Sequence, residues 1–208
     1  MQIRGIDELN TLSKPPKEYF GEMALTKEQI EERIRFTEEA NDELLEVMEL
    51  IATMDEHGGI DYDFIRQNLE ERWLSLIGGF VVLDDYMRQY ASDYAENFTE
   101  NTRKNIDDPW YISEDRALYN AENSANDTLN HGEYIKAIED GYKSKKWITE
   151  RDRRVRKTHS KLEGQVIGIL EYFDVGGALM RFPKDYEMAY DAPQEIVNCR
   201  CVVKYLKR

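Results

Sequence analysis

Up to about residue 140 the apolar residues of this chain recur at helical spacing; after Tyr142 they fall into short runs broken by glycine. A chain so patterned builds a helical body first and a small unit of short strands second. The expected class is therefore α+β: a mainly helical N-terminal half followed by a small helix-plus-short-sheet C-terminal domain.

Residues 1–24 show no apolar period, and Pro15-Pro16 argues against a helix there, so an irregular arm is expected. Thr26 with Gln29 three residues on reads as a capping box opening a long helix. Ile30, Ile34, Leu44, Val47, Met48 and Ile51 form its inner face, and His57-Gly58-Gly59 its stop. A second helix is expected over Asp61–Ile77. A third begins after Gly78-Gly79 and carries Val82, Leu83, Tyr86, Met87, Tyr90, Tyr94 and Phe98. Such an aromatic stripe reads as packing surface. Asp107-Asp108-Pro109 breaks the chain, which places a boundary between residues 1–108, an acidic helical platform or arm, and residues 109–208. Ser113 then caps a helix with Ala117, Ala121, Ala125 and Leu129 on one face. Asn130-His131-Gly132 should end it, and a short helix should follow over Glu133–Asp140.

Beyond that point strands are expected over Tyr142–Ile148, Gln165–Leu170, Ala178–Pro183 and Glu195–Leu206, with a helix from Thr149 to Leu162 between the first two. On that helix Asp152, Val155, Arg156 and His159 would share a face at i, i+3, i+4 and i+7. On the last strand alternation places Cys199 and Cys201 on one face and Asn198 and Arg200 on the other.

Composition excludes several classes. Hydrophobic residues make up 41%, enough to build a core, which argues against a wholly disordered chain. The longest apolar run, Leu76 to Leu83, is far below the ~20 residues of a membrane span, and Met1–Glu8 lacks the apolar core of a signal peptide. Two cysteines one residue apart cannot staple a fold. No Walker loop, GxGxxG, HExxH or GxSxG is present. A soluble cytosolic protein with no membrane partner is expected. The charge is uneven: residues 1–140 hold 13 basic and 33 acidic side chains, residues 141–208 hold 15 basic and 9 acidic. The basic part could meet DNA or an acidic protein, or the two parts could attract one another.

Three groups of residues could carry chemistry. His159, with Asp152 and Arg156 on its helical face, could act as a general base or sit in a structural hydrogen-bond network. His57 and His131, each beside a glycine, read as surface residues. Cys199 and Cys201 could join His159 around zinc, with Asp152 or Asp185 as a fourth ligand, or could serve as small buried hydrophobes. No other cofactor is expected. Residues 143–161 hold nine Lys or Arg. Lys143, Lys145, Lys146, Arg153, Arg154 and Lys157 are the candidates for contact with nucleic acid or a partner; the bland alternative is a solvated face.

Taken together, Lys146-Trp147-Ile148-Thr149, Asp152-Arg153-Arg154-Val155-Arg156, His159, Leu162-Glu163-Gly164, Phe173, Phe182-Pro183-Lys184-Asp185, Pro193 and Asn198-Cys199-Arg200-Cys201 closely resemble the phage Mu F-like minor head protein family. The resemblance covers roughly residues 113–208. It implies a phage or prophage head morphogenesis protein acting in the host cytoplasm during assembly and then in the head interior, with the portal and other capsid proteins as partners. Some relatives carry the domain joined to a toxin; with the motif ending so close to Arg208, no appended toxin domain is expected here. The resemblance implies a fold-stabilising motif of Trp147, Asp152, His159, Asn198, Cys199, Arg200 and Cys201. The rival reading is a small nuclease or nucleotide-processing enzyme built on Glu122, His159 and Arg156.

Overall fold

The computed structural model describes residues 15–189 and 191–207. Most of the expected arm, residues 1–14, lies outside them. Residues 15–24 do not form an irregular arm: helix α1 spans Pro16–Gly21. Proline is tolerated there because the first turn of a helix needs no partner for its N–H. Helix α2, Lys27–Glu56, opens with the full capping box: Thr26 accepts from the Gln29 N–H and the Gln29 side chain accepts from Thr26 N–H. Helices α3 (Tyr62–Gly78) and α4 (Asp85–Lys104) are capped by Asp61 and Asp84. α4 starts later than its apolar pattern suggests, leaving Val82 exposed and Leu83 in the connecting loop. A 3-10 turn, Pro109–Ile112, leads to α5, Glu114–Glu139. Among the described residues no helix is long and apolar enough to cross a membrane.

α5 is one unbroken helix, so the stop expected at Asn130-His131-Gly132 does not exist. The glycine is there for another reason. A Cβ on Gly132 would overlap the Val81 side chain, so the loop between α3 and α4 lies directly on the helix backbone. His131 is likewise no surface residue. It is buried, stacks on Tyr86 with ring centroids 4.2 Å apart, and meets Asp84 Oδ2 through Nε2 at 2.8 Å.

Two cores meet along α5. The first packs α1–α4 against Ala117, Ala121, Ala125 and Leu129, and Tyr90, Tyr94 and Phe98 supply the aromatic surface of α4. Trp73 and Tyr94 stack in parallel at 4.3 Å. The alanines are fully buried and let α2 and α5 approach closely. The second core begins at Tyr134 and Ala137 near the end of the same helix and gathers Trp147, Phe173, Met180, Phe182, Cys199 and Cys201.

The C-terminal unit is built from short pieces. Strands β1 (Ser144–Ile148), β2 (Val166–Gly168) and β5 (Val202–Leu206) form an antiparallel sheet in the order β2-β1-β5, with Trp147 opposite Val203. β3 (Phe173–Val175) and β4 (Ala178–Met180) form a separate hairpin. The helix expected from Thr149 shrinks to one turn, α6, Lys157–Ser160, and another single turn, α7, spans Pro193–Ile196. The terminal strand starts at Val202 and not at Glu195, so the Cys199–Cys201 segment precedes it.

The inner face of α5 is polar as well as small. Arg33 of α2 is fully buried against it. Its Nε donates to Asn126 Oδ1 at 3.1 Å, Nη2 to Asn130 Oδ1 at 2.9 Å, and Nη1 meets Glu133 Oε1 at 2.8 Å. Arg116, also buried, donates to Thr102 Oγ1 at 2.7 Å and to the carbonyls of Phe98 and Tyr111. Glu122 contrasts with both: its Oε1 has no hydrogen-bond partner among the described residues, and burial pushes its carboxyl up to about 8.

Two outcomes are expected. An acid raised in the folded state keeps its proton there after the unfolded chain has lost it, so stability falls as pH rises from the ordinary 4.5 to about 8. The contribution of Glu122 to that slope approaches about 1.4 kcal/mol per pH unit. Glu122→Gln should flatten it and stabilise the alkaline side, read as urea midpoints across that range. Gly132→Ala should destabilise by about 1–3 kcal/mol through overpacking on Val81. In a Val81→Ala background the same change should become neutral or stabilising, because alanine is the better helix former; urea midpoints of the four proteins check this.

Candidate functional site

The residues quoted for the family motif converge at the C-terminal unit, but not as a helical face. Asp152 sits in a turn, where its Oδ1 accepts from the Arg154 N–H at 2.9 Å. Arg151 beside it has a positive φ of 53°. The carboxylate binds Arg200 Nη2 at 2.7 and 3.0 Å through its two oxygens. Burial opposes ionisation of Asp152, but the Arg200 and Arg154 guanidinium groups win and hold it down at about 2. Asp152 thus fixes Arg200 and not His159. Arg156 donates to the Val197 carbonyl.

His159 enters from α6 and is buried. The edge of its ring packs against Trp147 with centroids 5.7 Å apart. Nε2 lies 3.1 Å from Glu195 Oε2, which also accepts from Thr158 Oγ1 at 2.7 Å. A carboxylate only accepts, so Nε2 carries a proton. On the other side of the ring, Nδ1 lies 3.4 Å from Cys201 Sγ and 3.5 Å from Cys199 Sγ. Both thiols are free and buried. The Cys199 thiol is held well below its usual value by the neighbouring Cys201 thiol, by His159 and by the Cys201 N–H, against its own burial. Cys201 is pushed up, since Cys199 beside it takes the charge first. Burial lowers His159, but the Cys199 sulfur more than offsets it and leaves the imidazole raised. The group is a histidine and two sulfurs whose donor atoms all lie within 4.8 Å of one another.

Asn198 adopts a positive φ of 55°, which turns the chain so that Cys199 and Cys201 both reach inward without a strand. Gly176, at the β3–β4 turn, has a positive φ of 65°, and a Cβ there would lie 2.7 Å from Thr158 Cγ2 and 3.0 Å from Glu195 Oε1. The hairpin thereby closes over the Glu195 side of the cluster. A cavity of about 20 Å³ lies on the other side, lined by Glu150, Arg156, His159, Cys199 and Cys201 among others.

The remaining expected residues fall elsewhere. Asp185 is no part of the cluster. It accepts from Arg181 at 2.7 and 2.8 Å. Neither Glu122 nor Asp152 lines the cavity that His159 and Arg156 share. Lys145 is fully buried over the rings of Tyr134 and Phe173, and burial lowers it to about 8, so it is not a surface contact residue. Lys143, Arg153, Arg154 and Lys157 are exposed and Lys146 is half-buried. Arg154 is already paired with Glu22 at 2.7 Å, an attraction between the basic and acidic parts of the chain. Two features escaped sequence reasoning. Glu195, the partner of His159, lies 36 residues away with no spacing to announce it. Lys184, buried at a positive φ of 63°, reaches Asn123 Oδ1 at 3.0 Å and Asp127 at 3.3 Å on α5.

Comparison with known proteins follows the same residues. No solved structure matches the chain. A 57-residue stretch, 27% of this chain, is 35% identical to the NAD(+)--arginine ADP-ribosyltransferase EFV of Enterococcus faecalis, of which it covers 11%. The chain thus spans about a tenth of the length of that curated relative. The family model described as Phage Mu protein F like protein matches residues 58–204, more than half of the chain, taking in α3, α4 and all of α5 as well as the C-terminal unit. The chain belongs to the Phage Mu protein F like family.

Proposed function

We propose that the protein is a structural component of phage head assembly that docks on the portal through its acidic helices and turns its basic C-terminal unit toward the packaged DNA. The family match carries this reading. The arrangement of charge supports it. Glu31, Glu38, Asp42 and Glu49 fall on one exposed stripe of α2, opposite the face that packs on α5. The stripe is mainly acidic, with Lys27 bound to Glu31 and Arg35 as its exposed basic members, and on a 30-residue helix it suits a basic partner surface and disfavours nucleic acid. Lys143, Arg153 and Lys157 are exposed on the C-terminal unit and can meet phosphates. The relative in Enterococcus faecalis shares only a short stretch with this chain, and its transferase activity plays no part in the reading.

Residues 1–108 cannot be removed to test docking, because Ala117, Ala121, Ala125 and Leu129 of α5 would lose their core. The experiment therefore keeps the full chain and reverses four exposed charges, Glu31→Lys, Glu38→Lys, Asp42→Lys and Glu49→Lys. Co-purification with a co-expressed phage portal protein should fall at least about tenfold, as charge juxtaposition of like sign costs a few kcal/mol, with the helical circular dichroism unchanged. Undiminished co-purification would sink docking through α2.

A further inference from the structure

We propose that His159, Cys199 and Cys201 form a binding site for one zinc ion, a site that pins the segment before β5 to α6. The proposal goes beyond head assembly and does not depend on the portal.

The donor set is the first ground. One imidazole nitrogen and two sulfurs are ligands that select zinc over magnesium or calcium, which take oxygen. The distances are the second. A tetrahedral zinc with ordinary Zn–N and Zn–S lengths sets nitrogen and sulfur ligands about 3.6 Å apart. Nδ1 stands 3.4 and 3.5 Å from the two sulfurs, so the atoms sit where an ion would need them with little movement. The ring's far side is the third. Nε2–H on Glu195, itself held by Thr158, is the carboxylate–histidine arrangement that fixes the tautomer and leaves the opposite nitrogen free for a metal. Gly176 allows the hairpin to close over that carboxylate.

The coordination balances in charge. Zinc entry displaces the thiol protons to solvent while Nδ1 offers its lone pair, and two thiolates neutralise the ion. The fourth position is open to the cavity of about 20 Å³ that all three ligands line. That space has room for a single water, since one water needs about 10–15 Å³. Burial of all three ligands and a fourth position no wider than a water suit an ion that holds the fold.

The test uses the full chain, purified under reducing conditions without added metal. Elemental analysis should find close to one zinc per chain. Exchange with cobalt should give visible d–d bands of a tetrahedral site and a near-ultraviolet thiolate-to-cobalt band. The double variant Cys199→Ser/Cys201→Ser should lose both. Because that variant can also lose its fold, Glu195→Gln provides a second reading. It keeps every ligand and should weaken zinc about 10–100-fold against a chromophoric chelator, with circular dichroism unchanged. A reduced wild-type chain that neither contains zinc nor develops the thiolate–cobalt band would overturn the site. So would zinc retained at full stoichiometry in the double cysteine variant. Unchanged affinity in Glu195→Gln would overturn the role given to the carboxylate.

Discussion

The guanidinium of Arg33 sits with no exposed surface between α2 and α5, and the arrangement of both halves depends on it. A buried charge is tolerable only when its donors are satisfied; removing one partner of such a pair costs about 3–5 kcal/mol. Asn126, Asn130, Glu133 and the Gln29 carbonyl supply that satisfaction, and three of the four lie on α5. Their spacing admits one register of α2 on α5, which the small alanines alone would not enforce. Asn130 then donates to the Pro183 carbonyl at 2.9 Å, so the same network reaches into the C-terminal unit.

α5 is therefore the spine of the molecule. Its first turns belong to the helical core and its last to the mixed one, and polar side chains along it serve each in turn. Asn123 meets both Lys184 and Asn198, and Asp127 takes Lys184. The unequal charge of the two parts is partly spent across this junction, through Lys184 on Asp127 and Arg154 on Glu22. The surplus that stays exposed is the acidic stripe of α2 and a scatter of basic side chains on the C-terminal unit.

Much of this was legible in the residues. Thr26 and Gln29 announce the start of α2 because a capping box is a local contract between neighbours. The alanine face of α5 and the tyrosine stripe of α4 follow from helical period alone. Gly132 misleads because glycine marks a chain end and a close approach equally well, and only the position of Val81 distinguishes them. The stretch from Asp152 to His159 misleads differently. Its i, i+3, i+4, i+7 spacing satisfies a helix, yet Asp152 bonds its own backbone two residues on, the local competition that makes aspartate a turn residue. The meeting of His159 with two cysteines was readable from their chemistry even though the strand expected to present them is absent. Glu195 was not, because a contact across 36 residues leaves no local trace.

The C-terminal unit explains why such a cluster belongs where it does. Its strands run three to five residues and its helices a single turn, so few backbone hydrogen bonds hold any one segment. Small units of this kind need cross-links beyond apolar burial. Arg181 on Asp185, Arg200 on Asp152 and Arg151 on Glu163 tie turns to their neighbours. The segment from Asn198 to Cys201 makes no ladder of its own, and its only buried side chains are the two sulfurs facing His159. Whatever holds those sulfurs to the imidazole also holds the entry to β5, and β5 pairs along the whole of β1. The cluster thus stands at the entry to β5, where a local bond helps to order the strand that pairs along the whole of β1.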